Sequence, residues 1–194
     1  RDVDVELIAR EEDDRTSASI TEISEKERIG LVRLGSDGDE INIELPRLDI
    51  DEVTIELDGR LDESIWVSIP GYDNMLVMDP DTLEKTRFKT DARMFYTEEG
   101  LYVGVFMEQP SETLIARLSS RDEFINRDSI GITIDTSGEG LYGYWFTLNL
   151  GGSVMDGKVA PERQFSREWD GPWESGTAVL AVSYTHLRAH ETTS

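Results

Sequence analysis

The sequence predicts an all-β protein: an antiparallel β-sandwich of the immunoglobulin or jelly-roll kind, truncated at its C-terminal end. Three observations carry that expectation. Short β-rich runs recur at regular spacing, glycine-containing turns separate them, and no long stretch repeats apolar residues at the helical period. A length of 194 residues suits one core with room for an appended segment.

Residues 1–52 are charge-rich, with alternating stretches at 3–8, 29–34 and 41–45 broken by polar clusters such as 11–14. Alternation marks half-buried strands, yet no aromatic residue is present to anchor a core, so this part is read as an acidic extension of unknown role. Residues 53–181 carry the sandwich. Residues 53–57 alternate and read as its first strand, Asp58-Gly59 turns the chain, and Asp62 suits the cap of a short helical turn that delivers Trp66 to the core. Residues 93–96 and 101–107 read as a hairpin around 98–100. Residues 112–121 set Leu114, Ile115 and Leu118 on one helical face, and read as a short helix or equally as an extended connection. Residues 130–134 and 142–150 form a second pair around 135–140, and strands at 154–159 and 177–181 close the set.

The C-terminal run Val182-Ser-Tyr-Thr-His-Leu-Arg-Ala-His-Glu-Thr192 resembles one reading frame of a transposase adapter used in sequencing libraries. Residues 182–194 are therefore expected to be artefactual, with the natural protein continuing past Ala181 and also beginning before Arg1. His186 and His190, the two histidines of the chain, lie inside that run. Taken as protein, their i, i+4 spacing would put two imidazoles on one helix face beside Glu191, as in zinc-hydrolase helices. Without them, triad hydrolysis and histidine-ligated metal chemistry have no donor, and a haem-binding sandwich is disfavoured.

Acidic residues number 41 against 19 basic, for a net charge of −22. Such a field repels phosphate backbones and anionic headgroups, which argues against nucleic acid and against membrane surfaces as partners. With no cysteine there are no disulfides, thiolate nucleophiles or cysteine-based metal sites. No apolar run approaches the roughly 20 residues that span a bilayer, so direct membrane insertion is not expected.

The opening Leu57-Asp-Gly-Arg-Leu-Asp-Glu-Ser-Ile-Trp66, then Leu101-Tyr-Val-Gly-Val105, Arg127-Asp-Ser-Ile-Gly-Ile-Thr-Ile-Asp135 and Phe146-Thr-Leu-Asn149, resemble successive signatures of family-nine carbohydrate-binding modules, in that family's order. Ile115-Ala-Arg-Leu-Ser-Ser-Arg-Asp122, Gly152-Ser-Val-Met-Asp-Gly157 and Trp169-Asp-Gly-Pro-Trp-Glu174 are closer to a subgroup. In that subgroup the module stands near the N-terminus of large bacterial surface proteins, ahead of an expected outer-membrane barrel. The resemblance covers residues 53–179. It implies a non-catalytic module of an exported protein, in the periplasm, at the outer membrane or outside the cell, with a polysaccharide or oligosaccharide as partner. Relatives often ride on xylan-degrading enzymes, which ties the module to carbohydrate catabolism by association. The alternative is a ligand-free structural or docking domain of an outer-membrane β-barrel protein.

Sugar rings are held by aromatic faces framed with polar groups. The available platforms are Trp145, Trp169, Trp173 and Tyr144, with Tyr142 beside them; Trp169 and Trp173, near Asp170 and Glu174, are the first choice, and a packed sheet edge is their bland alternative. Ile125, Gly131 and Thr147 stand where the resemblance puts a sugar-clamping tryptophan and two polar ligand residues. Asp128 and Asp135 bracket an apolar strand, where carboxylates suit either loop amides or a calcium ion completed by carbonyl oxygens. No other cofactor is implied. Glycoside hydrolysis requires two carboxyl groups at a set separation, about 5–5.5 Å for retention, and no motif singles out such a pair.

Overall fold

In the computed structural model the backbone is described for residues 4–10, 15–21, 23–24, 28–29, 31–33, 40–42, 45–79, 84–123, 127–135, 141–161, 164–180 and 183–190. Side chains are described for 45–77, 84–123, 127–135, 141–161 and 164–180.

Sixteen strands run in chain order through the described residues. They are β1 (Asp4–Arg10), β2 (Arg15–Thr21), β3 (Ile23–Ser24), β4 (Arg28–Ile29), β5 (Leu31–Arg33), β6 (Glu40–Asn42), β7 (Gly71–Tyr72) and β8 (Val77–Asp79). After these come β9 (Thr90–Tyr96), β10 (Gly100–Glu108), β11 (Ser129–Asp135), β12 (Gly143–Asn149), β13 (Val154–Ala160), β14 (Gln164–Ser166), β15 (Trp173–Gly176) and β16 (Ser183–His190). One α-helical turn, α1 (Ser64–Ser68), interrupts them. The first sheet has the order β14-β13-β12-β11-β1-β2-β5-β6, with β8 on β2; the second has the order β15-β16-β10-β9-β7. Ladders within both are antiparallel, so the protein is an all-β sandwich.

The core lies between the sheets. Ile130, Ile132, Phe146 and Leu148 of β11 and β12 meet Ala92, Met94, Val103, Val105 and Met107 of β9 and β10, with Leu45 and Met75 in the same cluster. The alternation of β9 and β10 also buries their other face, where Phe95 and Tyr102 stack at 4.6 Å and Trp66 tilts onto Phe95 at 5.2 Å. Leu48, Val53, Ile55, Leu61 and Ile65 complete this second cluster. Gly104 is the space that Trp66 occupies: a Cβ there would stand 2.6 Å from Leu61 Cδ2 and 3.0 Å from Trp66 Cζ3.

Both hairpins stand where the alternation placed them, with Leu101 opposite Tyr96 and Ile132 opposite Phe146. Gly59 has φ +85°, which glycine adopts freely, and Asp58 Oδ1 accepts the Arg60 amide at 2.8 Å. Three expectations are corrected, and one left open between two readings is decided. Residues 53–57 alternate in burial but form no ladder, because they lie as a cover over Trp66 rather than beside a strand. Glu63, not Asp62, occupies the cap of α1, and its side chain accepts the Glu56 amide at 2.8 Å instead of a helix amide. The last strand before Ala181 is β15, with 177–180 irregular; there Gly176 and Gly59 lie close against the backbone of Leu57 and Thr177 respectively, without a ladder between the two segments. Of the two readings of 112–121, the extended connection is found, after a single 3-10 turn at Ser111–Thr113.

The adapter-like run supplies β16, which pairs with β10 from Gly100↔His190 to Glu108↔Ser183 and with β15 on its other side. Backbone N–H and C=O groups make that ladder, and any residue but proline offers both. His186 and His190 therefore sit on a strand. Four residues apart on a strand means about 13 Å, so the helix-face zinc pair is not formed.

Adding a side chain at residue 104 should overpack the Trp66 cover. Gly104→Val is expected to lower stability by about 1–3 kcal/mol and Trp66→Ala by about 3–5 kcal/mol, read from urea unfolding midpoints. Ending the chain at Ala181 should open the β10 edge and cause self-association in sedimentation velocity. A monomeric, cooperatively unfolding product would contradict the second expectation.

Candidate functional site

Alternation along β12 divides the candidate aromatic residues between its two faces. Tyr144 and Phe146 point into the sandwich, while Trp145 points to the opposite face, where it is 8% exposed beside Phe165 and its Nε1–H donates to the Ser166 carbonyl at 3.2 Å. Trp145 is thus set apart from the other three and buried by packing.

Tyr144, Trp169 and Trp173 come together around Phe146. Trp169 lies 4.5 Å from Tyr144 and meets the Phe146 ring edge-on at 5.9 Å; Trp173 meets Phe146 edge-on at 5.5 Å. Edge-to-face contacts of this kind suit the aromatic quadrupole. All three remain half-buried, while Tyr142 at the mouth of β12 is 62% exposed. The loop between the tryptophans depends on Gly171, whose Cβ would stand 2.6 Å from Trp169 Cη2.

Beneath the loop lies a carboxylate that the sequence reading did not single out. Asp156 of β13, directly opposite Phe146, is fully buried. Its Oδ2 accepts the Gly171 amide and Trp173 Nε1–H (3.2 Å), while its Oδ1 accepts Arg121 Nη2–H at 2.6 Å. Arg121 Nε–H also donates to Asp170 Oδ1 at 2.9 Å, and Asp122 Oδ1 accepts the Asp156 amide at 3.2 Å. Burial pulls the Arg121 pKa down, but Asp156, Asp170 and Asp122 together outweigh it and leave that pKa raised.

Asp122, Asp156 and Asp170 bring carboxylate oxygens within 4.8 Å of one another, a spacing that can hold a cation. Arg121 already supplies positive charge to all three, at 2.6 Å from Asp156, 2.9 Å from Asp170 and 3.7 Å from Asp122. The same arrangement ill suits a hydrolytic carboxylate pair, since Asp156 has no exposed oxygen to offer a substrate.

At the calcium candidates, Asp128 Oδ2 accepts the Ile115 amide at 2.7 Å, as a loop-tying carboxylate does. Asp135 is buried at the end of β11. Gly131 and Thr147 face each other in the β11–β12 ladder, and Ile125 lies outside the described residues. Arg127 is buried nearby; its guanidinium donates to Ser119 Oγ and to the Glu123 carbonyl at 2.9 Å. Desolvation lowers its pKa, against the opposing pull of Glu123. A separate hollow of about 300 Å³ is lined by Arg47, Leu48, Asp49, Ile50 and Glu98, with no aromatic ring.

The chain matches no family model, no curated protein and no solved structure. The site therefore rests on its own geometry. A signal for the missed residues was nevertheless present: Arg121-Asp122, Asp156 and Asp170 each belong to one of the three segments that mark the subgroup resemblance, and those segments converge here.

Asp122 holds φ +59°, uncommon for a residue with a side chain. Asp122→Ala removes the acceptor for the Asp156 amide and keeps that conformation, and is expected to cost about 1–3 kcal/mol. Asp122→Gly should cost less, because glycine accepts positive φ. Equal losses in chemical denaturation would show that the backbone conformation contributes nothing.

Proposed function

We propose that this chain is a non-catalytic carbohydrate-recognition module of an exported bacterial protein, which takes a polysaccharide or oligosaccharide at the Tyr144–Trp169–Trp173 patch. One observation carries the reading: three aromatic residues, two of them tryptophans, converge at the margin of the sandwich and stay only partly buried, with the 75%-exposed side chain of Asp170 beside them. Aromatic faces framed by charged and hydrogen-bonding groups are what a pyranose ring requires. The resemblance to family-nine modules supports the same ligand class and a place in the cell envelope. Among the described residues no helix is long and apolar enough to cross a membrane, which leaves anchoring by strands open.

The second reading is a ligand-free structural or docking domain of an outer-membrane protein. It is favoured by Trp173, whose Nε1–H is spent on Asp156 and whose ring packs on Phe146. In that reading the aromatic patch is a plug that closes the open end of the sandwich.

Glycan-array screening followed by calorimetry, with and without calcium, separates the two. Saturable binding is expected, weakened about tenfold or more by Trp169→Ala, an energy of about 1.4 kcal/mol. A cooperatively folded chain that binds no glycan would establish the plug.

A further inference from the structure

We infer that Asp156, charge-balanced by Arg121, is the positioning residue that holds Trp173 and the loop before it in the arrangement a ligand meets. The inference rests on the recognition reading for its functional half and on geometry alone for its structural half.

A carboxylate without solvent contact is costly unless its lone pairs are filled and its charge is balanced. Asp156 meets both conditions with donors from two other parts of the chain. The 169–173 loop gives it the Gly171 amide and the Trp173 indole, and the 115–123 connection gives it Arg121. The hub itself is held from below, since the Asp156 amide donates to Asp122, whose carbonyl in turn accepts Arg167 Nη1–H at 3.0 Å. Arg121 then reaches past the hub to Asp170 between the two tryptophans. That outer pair is solvent-exposed and screened, so the bond from Arg121, itself partly exposed, to the buried Asp156 carries the arrangement.

The acceptor geometry makes the chemistry specific to a carboxylate. Oδ1 faces a guanidinium and Oδ2 faces two N–H donors, so both ends must accept. An amide would turn one end into a donor, and would then repel either Arg121 or the loop. Asp156 stays beneath the rings throughout; it orders them, and makes no contact with the ligand.

The test uses the full chain and the indole N–H signal of Trp173 in a nitrogen–proton NMR spectrum, assigned by its loss in Trp173→Phe. Asp156→Asn is expected to move that signal and to weaken glycan binding at least tenfold, while unfolding stays a single cooperative transition. Arg121→Met should do the same to a smaller extent, and Arg121→Lys should recover part of the affinity. Should Asp156→Asn fail to fold, Arg121→Met carries the test, because it leaves the carboxylate in place. An unmoved Trp173 signal in the folded variants overturns the positioning role, whether or not the wild type binds sugar. A moved signal with unchanged affinity overturns its functional half. If the wild-type chain binds no glycan, the recognition reading and the functional half fall together, and the signal alone decides the structural half.

Discussion

Strand β10 has to be buried on both faces, and the rest of the architecture follows from that demand. Val103, Val105 and Met107 face the first sheet, while Tyr102 and Gly104 lie beneath Trp66 and its neighbours. A sheet covered twice needs a third layer, which residues 48–69 provide without forming a strand of their own. Burial of large rings dominates the energetics of such a cover, at roughly 25 cal/mol per Å² of apolar surface removed from water. Gly104 is the concession that makes it fit, since a Cβ at that place would collide with Leu61 Cδ2 and crowd the Trp66 ring.

Where this doubly covered sheet ends, at β15, Trp173 crosses the gap to Phe146 and Asp156 of the first sheet. The two sheets are thus joined at their margin by one indole that makes an apolar contact with a ring and a polar contact with a buried carboxylate. Apolar contact fixes distance but tolerates sliding; a filled carboxylate hub fixes orientation. Buried polar groups of this kind contribute little net stability compared with apolar replacements and far more to the uniqueness of an arrangement. Such a hub lies at the margin, where the rings are only partly buried, whereas in the core Trp66 is held by packing at 2% exposure.

Alternation in the sequence made the two hairpins and β13 legible, because period-two burial and glycine turns are local signals, while the burial of Trp66 was legible as an aromatic set in an apolar helical turn. The same signal misled at residues 53–57. Alternation reports which side chains are covered and is silent on whether the backbone has a ladder partner, and there the covering partner is α1 and the face of β10. Parity along β12 could have separated Trp145 from Tyr144 without any structure, since adjacent strand residues face opposite ways. Asp156 was legible only as part of a segment that marks the resemblance, not in its role. That role depends on Arg121 and Trp173, which lie 35 and 17 residues away in sequence, and no spacing rule joins a residue of β13 to one of β15 and one of the 115–123 connection. The β16 ladder shows the converse limit, for backbone pairing asks so little of side chains that a run resembling adapter translation can fill an edge.

Whether the aromatic margin recognises a ligand or only seals the fold turns on what remains uncovered after packing. Trp66 at 2% and Trp145 at 8% exposure have no face left to offer, and both sit within packed layers. Trp169, Trp173 and Tyr144 also pack against neighbouring rings, yet each is only partly buried, beside a charged rim. Rings ordered in advance lose little conformational entropy when a ligand stacks on them, so the contacts that make the patch look like packing are also those that favour binding. Packing on Phe146 and the bond to Asp156 are therefore compatible with recognition, and the uncovered portion of three rings distinguishes this margin from the aromatic residues inside the fold.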